Sequence, residues 1–336
     1  MGFAVAEDQE FVLPPLEERP LVTFALFAYN QEKYIREAVE GAFAQTYEPL
    51  EIILSDDCST DRTFEIMEEM AAGYVGPHTV LVQKNRKNQG LATHINILLN
   101  QAKGTYFSWA AGDDVALPSK ITDLIIPILR DQSIIATHSA VIEMNENGKF
   151  IKIKKANSKQ RKISRYNIIR NNTSVISQSH LFKTSIFSEF GPFSEALTNE
   201  GPAISFREIC CGKIYYVETP LTKYRIGSGV STYRGSEVTA LQLTEPAKVI
   251  LWRLTSFQQI LTDMNKTACS TQEQSGVIRK IKFYSNLYQI NTKQAIIRPL
   301  ILNLLSRPLD LSSLRAAIRV SLPPRIYRIF MGIAKK

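Results

Sequence analysis

The 336-residue sequence predicts an α/β fold, a mostly parallel sheet flanked by helices and followed by a helical C-terminal region. Three observations carry that expectation. Short apolar runs alternate four times with stretches of helical periodicity, as strands and crossover helices do. Polar clusters fall just after three of the runs, where ligands bind in such sheets. From about Ser236 onward glycines nearly vanish and helical spacing dominates, as in Leu251, Leu254, Phe257 and Leu261.

The first strand is Leu21–Ala28 (LVTFALFA), apolar throughout and bounded by Pro20 and by Asn30-Gln31-Glu32-Lys33. A continuous apolar run of this length suits a strand buried on both faces. Ile35, Ala38, Val39, Ala42 and Phe43 then share one face of a helix. Glu51–Ser55 is the second strand, running into Asp56-Asp57, and Ser59–Thr63 supplies cap-type residues before a helix over Phe64–Ala72. Thr79–Val82 is the third strand, Leu91–Ala102 the third helix, and Tyr106–Ala110 the fourth strand, leading into Gly112-Asp113-Asp114. Beyond Lys120 the pattern mixes: a helix near Ile121–Leu129, a strand over Ile134–Glu143, and a turn at Asn145–Gly148. A helix is then expected to contain His180-Leu181-Phe182 and Ile186-Phe187 and to end at Gly191-Pro192, with a strand at Lys213–Val217.

Composition narrows the function. With 44% hydrophobic and 21% charged residues the chain is globular, not disordered. Apolar runs are too short to span a bilayer, and the N-terminus, with Glu7, Asp8, Glu10, Glu17 and Glu18, does not read as a signal peptide, so a cytoplasmic location is expected. Cys58, Cys210, Cys211 and Cys269 form no CxxC pair, which argues against a zinc module or disulfide framework. The net charge of +8 is uneven: residues 20–148 hold nine bases against seventeen acids, Lys149–Arg170 holds nine bases and no acid, and 291–336 holds nine bases against Asp310 alone. An acidic N-terminal half argues against a surface built for nucleic acid.

Clustered carboxylates at strand ends need a compensating cation, and Mg²⁺ or Mn²⁺ takes one or two of them and completes its shell with water and phosphate oxygens. By itself Gly112-Asp113-Asp114 fits a capped turn before Pro118 equally well. The joint pattern says more. Leu21–Asn30, Gln45-Thr46-Tyr47, Glu51–Asp61, Asn88-Gln89-Gly90, Ala102–Tyr106 and Ala111–Asp114 together resemble, in order and spacing, the family 2 glycosyltransferases of the GT-A fold, over roughly Pro20 to Ser231.

The resemblance implies a nucleotide-diphosphate sugar donor, UDP-linked if Asp57 accepts from the imide of a uracil. Phe27, Ala28, Tyr29 and Asn30 would line the nucleoside pocket, Asp114 would be the principal metal ligand, and Asp113 would sit beside it toward the ribose or donor sugar. His94 would approach the donor phosphates from the start of its helix; a half-buried helix histidine is the competing reading, as a rim aromatic is for Tyr29. Asp56 reads as a cap or turn acceptor. Where the family has Glu-Asp before an Arg, this chain has Glu200-Gly201 before Arg207, so Glu200 is the candidate base for the acceptor hydroxyl, with a helix-start role as the alternative.

The implied organisation is an N-terminal arm (1–20), a GT-A domain (21–235, donor half 21–118 and acceptor half 119–235), and a basic helical region (236–336). The implied reaction is metal-dependent and inverting, on a saccharide or lipid-linked acceptor in cell-surface polysaccharide synthesis. A nucleotide-sugar binding protein impaired by Gly201, and a nucleotidyltransferase, are the alternatives. The basic stretch Lys149–Arg170, read as a loop, would meet an anionic acceptor or membrane face. The tail 291–336, with Arg alternating with aliphatic residues, would either lie on an anionic membrane surface or pack against the domain.

Overall fold

The structure is a computed structural model that describes residues 11–227 and 247–305, with backbone alone for 290–305. The first ten residues of the expected arm, the expected boundary at 235, and the tail beyond 305 lie outside the described residues. A 3-10 turn at Leu16–Glu18 precedes β1 (Val22–Ala28), α1 (Ile35–Phe43), β2 (Leu50–Asp56), α2 (Thr63–Ala72), β3 (Thr79–Lys84), α3 (Leu91–Gln101) and β4 (Tyr106–Ala111). Then follow β5 (Val115–Ala116), α4 (Lys120–Arg130), β6 (Ile134–Met144), β7 (Phe150–Lys154), α5 (Ser158–Arg161) and α6 (Arg165–Asn171). The remainder is β8 (His180–Lys183), α7 (Ser185–Phe190), α8 (Gly201–Cys211), β9 (Lys213–Arg225), α9 (Ala247–Met264) and α10 (Thr271–Leu305).

The nine strands form one sheet in the order β3-β2-β1-β4-β8-β6-β9-β5, with β7 on β6. β3, β2, β1 and β4 are mutually parallel, each reached through a helix, as the alternation in the sequence requires. Beyond β4 the sheet is mixed: β8 runs antiparallel to both β4 and β6, whereas β6 and β9 are parallel. Alternate residues of β1 separate two cores. Val22, Phe24 and Leu26 pack with Ile35, Val39, Met67 and Leu124 of α1, α2 and α4, while Ala25 faces Ala92, Ile95 and Leu98 of α3. Helices therefore cover both faces.

Two expectations need correction. His180-Leu181-Phe182 is not helical but forms β8, and the helix begins only at Ser185. The reason is tertiary: Leu181 pairs with both Ser108 of β4 and Thr137 of β6, so the segment closes the gap between them. Nor is Lys149–Arg170 a loop. It forms β7, α5 and α6, and part of its charge is met within the protein: Lys152 and Lys154 lie 3.5 and 3.8 Å from Glu143, and Arg161 pairs with Glu218.

The C-terminal helices share a core with the preceding residues. Ile250, Phe257 and Ile260 of α9, and Val277 and Tyr284 of α10, pack with Ile168, Ile169 and Phe206. At this junction Arg207, fully buried, donates from Nε and Nη2 to the Asp263 carboxylate at 2.8 and 2.9 Å and from Nη1 to Gly191 O at 2.7 Å. Its guanidinium lies 4.5 to 5.6 Å from the ring centres of Phe187, Phe190 and Phe193.

Candidate active site

Strand order reverses between β1 and β4, and a crevice beyond the carboxyl ends at such a point is where open α/β sheets bind ligands. Gly112 lets the two ends meet. Its N–H donates to Phe27 O at 3.0 Å, and a Cβ there would stand 2.7 Å from Ala28 Cβ and 2.5 Å from Gln31 Oε1. Only a residue without a side chain brings the Asp113-Asp114 turn so close to the end of β1.

Beyond β1, Tyr29 is 43% exposed, presenting a free ring at the rim, whereas Ala28 is buried. Asn30 adopts a left-handed conformation (φ 51°), tolerable for Asn. Its Oδ1 accepts from Thr60 N at 2.9 Å and its own N–H donates to Ser59 Oγ, so it staples the ends of β1 and β2 together. Asp56 accepts from both the N–H and hydroxyl of Ser59, which makes it the turn acceptor expected.

Asp57 has a more constrained place than the sequence suggests. Its Oδ1 accepts from Asn85 Nδ2 and Gln89 N at 2.8 and 2.9 Å, and its Oδ2 accepts from Gly90 N at 3.0 Å. The carboxylate holds the 85–90 loop, with Gly90 at φ 76°, and keeps acceptor capacity chiefly on Oδ2. His94 differs from the expected phosphate contact. It is 3% exposed, its Nε2 lies 2.6 Å from Ser55 Oγ, and its ring meets Phe27 edge-on, so it underlies the end of β1. Burial lowers its pKa against the pull of Asp57 and Asp56.

Asp113 and Asp114 are 5% and 2% exposed. Burial, with repulsion from Asp113, raises the Asp114 pKa well above the usual carboxylate value, although Arg225 N–H donates to its Oδ1 at 2.9 Å. A carboxylate held this way gains most from a cation placed beside it. Among the described residues no three His, Cys, Asp or Glu side chains are grouped for a metal, so the protein would supply one or two carboxylates and the ligand the rest. Gln31 Oε1, buried without a hydrogen-bond partner and next to Gly112, is a further hard oxygen at the turn. This donor set fits Mg²⁺ or Mn²⁺.

Two bases around this turn had no role there on the sequence alone. Arg225 donates from Nε to Asp113 O at 3.0 Å and from Nη2 to Glu37 at 2.8 Å, and it stacks on Tyr34 at 4.5 Å. Lys120 is fully buried, donates to Trp109 O and Gln178 O at 2.9 and 3.2 Å, and is pushed down to about 7 by burial. The Tyr224-Arg225 pair was the available signal for the first. Nothing local marks Lys120, whose bonds depend on the packing of β4 against the 177–179 turn.

The same 177–179 turn meets Glu200. Glu200 occupies the N-cap position of α8, yet its side chain makes no capping bond. It bonds Ser177, and burial raises its pKa against that bond and the nearby His180. His180 Nε2 in turn lies 2.6 Å from Glu208 Oε1, both fully buried. A Cβ on Gly201 would approach Ser177 Oγ to 3.2 Å and Ser174 Cβ to 3.3 Å, so an acid at 201 would crowd the turn that Glu200 leans on.

The sequence model of glycosyl transferase family 2 matches residues 23–191, which include β1 to β4 and the Asp113-Asp114 turn. The chain belongs to that family. Among curated family relatives, an uncharacterized glycosyltransferase of Haemophilus influenzae is 36% identical over 124 residues (37% of this chain, 38% of the relative). One from Rickettsia typhi is 29% identical over 220 residues (63% and 66%). The chain thus spans under two thirds of these relatives. Among solved structures, residues 1–349 of S. aureus TarS superpose with a TM-score of 0.55 at 16% identity, covering 91% of this chain and 82% of that one. The same fragment has been crystallised with UDP and with UDP-GlcNAc. A mannosyltransferase from Pyrobaculum calidifontis, in complex with GDP-Man and Mn²⁺, superposes at 0.51 with 15% identity, covering 97% and 86%. At these identities the likeness shows the fold, the GT-A arrangement expected.

Proposed function

We propose that this family 2 member is a metal-dependent, inverting glycosyltransferase that moves a sugar from a nucleotide-diphosphate donor, UDP-linked, to a saccharide or lipid-linked acceptor in cell-surface polysaccharide synthesis. The observation that carries the reading is the Asp113-Asp114 turn, drawn by Gly112 against the Tyr29 rim at the sheet's switch point. Tyr29 stacks on the base, Phe27, Ala28 and Asn30 shape its pocket, and Asp57 Oδ2 accepts the imide proton while its other bonds keep the 85–90 loop in place. His94 supports Phe27 from below. TarS crystallised with UDP supports the uridine choice.

Asp114 and Asp113 would hold Mg²⁺ or Mn²⁺, which would supply positive charge to offset the negative charge developing on the departing diphosphate. The mannosyltransferase complex with Mn²⁺ supports that cofactor. Glu200 removes the proton from the acceptor hydroxyl; that oxygen forms the new bond to the anomeric carbon from the side opposite the diphosphate, whose bond to the sugar breaks, and configuration inverts. A carboxyl raised by burial is a better base for a hydroxyl than an ordinary one. Among the described residues no helix is long and apolar enough to cross a membrane. Contact with an anionic membrane face, part of it through 291–336, completes the proposal.

Thermal stabilisation by a panel of nucleotide sugars, with and without Mn²⁺, tests this reading. UDP-sugars with Mn²⁺ should raise the melting temperature of the natural protein and not of Asp114→Asn. Equal shifts in both would remove the metal assignment.

A further inference from the structure

β7 is an unusual strand for a soluble surface. Phe150, Ile151 and Ile153 are 60%, 47% and 48% exposed, and because neighbours in a strand point to opposite faces, Ile151 and Ile153 make one face apolar while Phe150 stands on the other with Lys152 and Lys154. Among the described residues β7 pairs with β6 alone. Exposed apolar edge strands invite association, so something must cover this one or keep it apart.

The charges select the occupant. Lys149, Lys152, Lys154 and Lys155 are interleaved with or flank the apolar residues. Across Lys149–Arg170 nine bases meet three carboxylates in the described ion pairs, Glu143, Glu218 and Glu273, which leaves a surplus of six. A second copy of the strand laid along the edge would bring lysine against lysine. A surface that is anionic outside and apolar a few ångströms deeper answers both features at once, since lysine stems extend past the apolar residues to phosphates.

We propose that the β6–β7 hairpin docks the protein on an anionic phospholipid bilayer. Phe150, Ile151 and Ile153 enter the interfacial layer, and Lys149, Lys152, Lys154 and Lys155 lie among the headgroup phosphates. The hairpin is joined to the metal turn by one residue. Arg225 donates from Nη1 to Glu146 O at 3.1 Å in the hairpin turn, while its backbone N–H holds Asp114 Oδ1 and its Nε holds Asp113 O. Docking there places the Asp113-Asp114 turn close to the lipid surface, and the role of that turn rests on the reading above, whereas the docking itself does not.

The test uses the full chain carrying Phe150→Trp, with natural Trp109 and Trp252 as the background. In phosphatidylcholine vesicles containing phosphatidylglycerol and bromine-labelled acyl chains, the variant should show quenched emission that the natural protein lacks, and pure phosphatidylcholine should not produce it. Lys149→Glu with Lys155→Gln, which leaves the Glu143 pairs of Lys152 and Lys154 in place, should weaken cosedimentation with the anionic vesicles about tenfold or more, with the melting temperature kept. Absent quenching while the chain still sediments would assign lipid contact to another part of the molecule and overturn the proposal. So would equal binding to neutral vesicles, or a dimer that these lysine changes strengthen. Nucleotide binding is not read in any arm, so failure here leaves the functional reading standing.

Discussion

Replacing Asp263 by alanine isolates what ties α9 to the helix that carries Glu200. Arg207 and Asp263 are both fully buried and joined by two hydrogen bonds of 2.8 and 2.9 Å. Removing one partner of such a pair typically costs about 3–5 kcal/mol, because the other charge stays buried and uncompensated. Here the stranded guanidinium would keep Gly191 O and three aromatic rings, so the loss belongs at the low end, about 3 kcal/mol. For a chain of 336 residues, at about 2.1 cal/mol/K of unfolding entropy per residue, that is a fall in melting temperature of about 4 °C. Denaturant unfolding followed by circular dichroism measures it, with Asp263→Asn, which retains acceptor geometry, losing less. Since Arg207 lies seven residues along α8 from Glu200, turnover should suffer beyond the stability loss at temperatures where the variant remains folded, with UDP affinity nearly intact. A stability change below about 1 kcal/mol would refute the reasoning that Asp263 compensates the buried charge of Arg207.

Two further outcomes are expected. Glu200→Gln should lower turnover by about 10²–10⁴-fold at unchanged donor affinity, as removal of a general base does, and unchanged turnover would exclude the role. His138 is fixed neutral, its Nδ1 accepting from Ile176 N and its Nε2 donating to Gln160 O, and burial pushes its pKa down to about 3. The unfolded chain takes up that proton near 6.5 and the folded chain does not until about 3. Its contribution is therefore complete above 6.5 and lost as pH falls through that window, at up to about 1.4 kcal/mol per pH unit. Denaturant midpoints in acid should fall less steeply in His138→Gln, and parallel slopes would count against it.

Most of the parallel half of the fold was legible because each of its strands is a short apolar run bracketed by polar turns, so that local pattern and final pairing agree. β8 was not, since His180-Leu181-Phe182 and Ile186-Phe187 mimic helical spacing and only the partners 70 and 40 residues away make the first three a strand. At the site, residue types and order exposed Asp113, Asp114 and Tyr29, whereas direction was invisible. His94 turns under β1, and Arg225 reaches Asp114 across 111 positions. Lys120 and Glu208 carry no local mark, because what makes them notable is complete burial beside a partner contributed by another element.

The bonds of Asp57 alter how loss of function at that position must be interpreted. An alanine scan scored on activity would rank it beside true ligand contacts, yet the same substitution releases three donors of the 85–90 loop and, with Gly90, the entry to α3. Asparagine there would turn an amide toward donors that need an acceptor. The informative comparison is thus between nucleotides differing at the imide position, tested on the unaltered protein, where selectivity reports the contact and the loop stays whole.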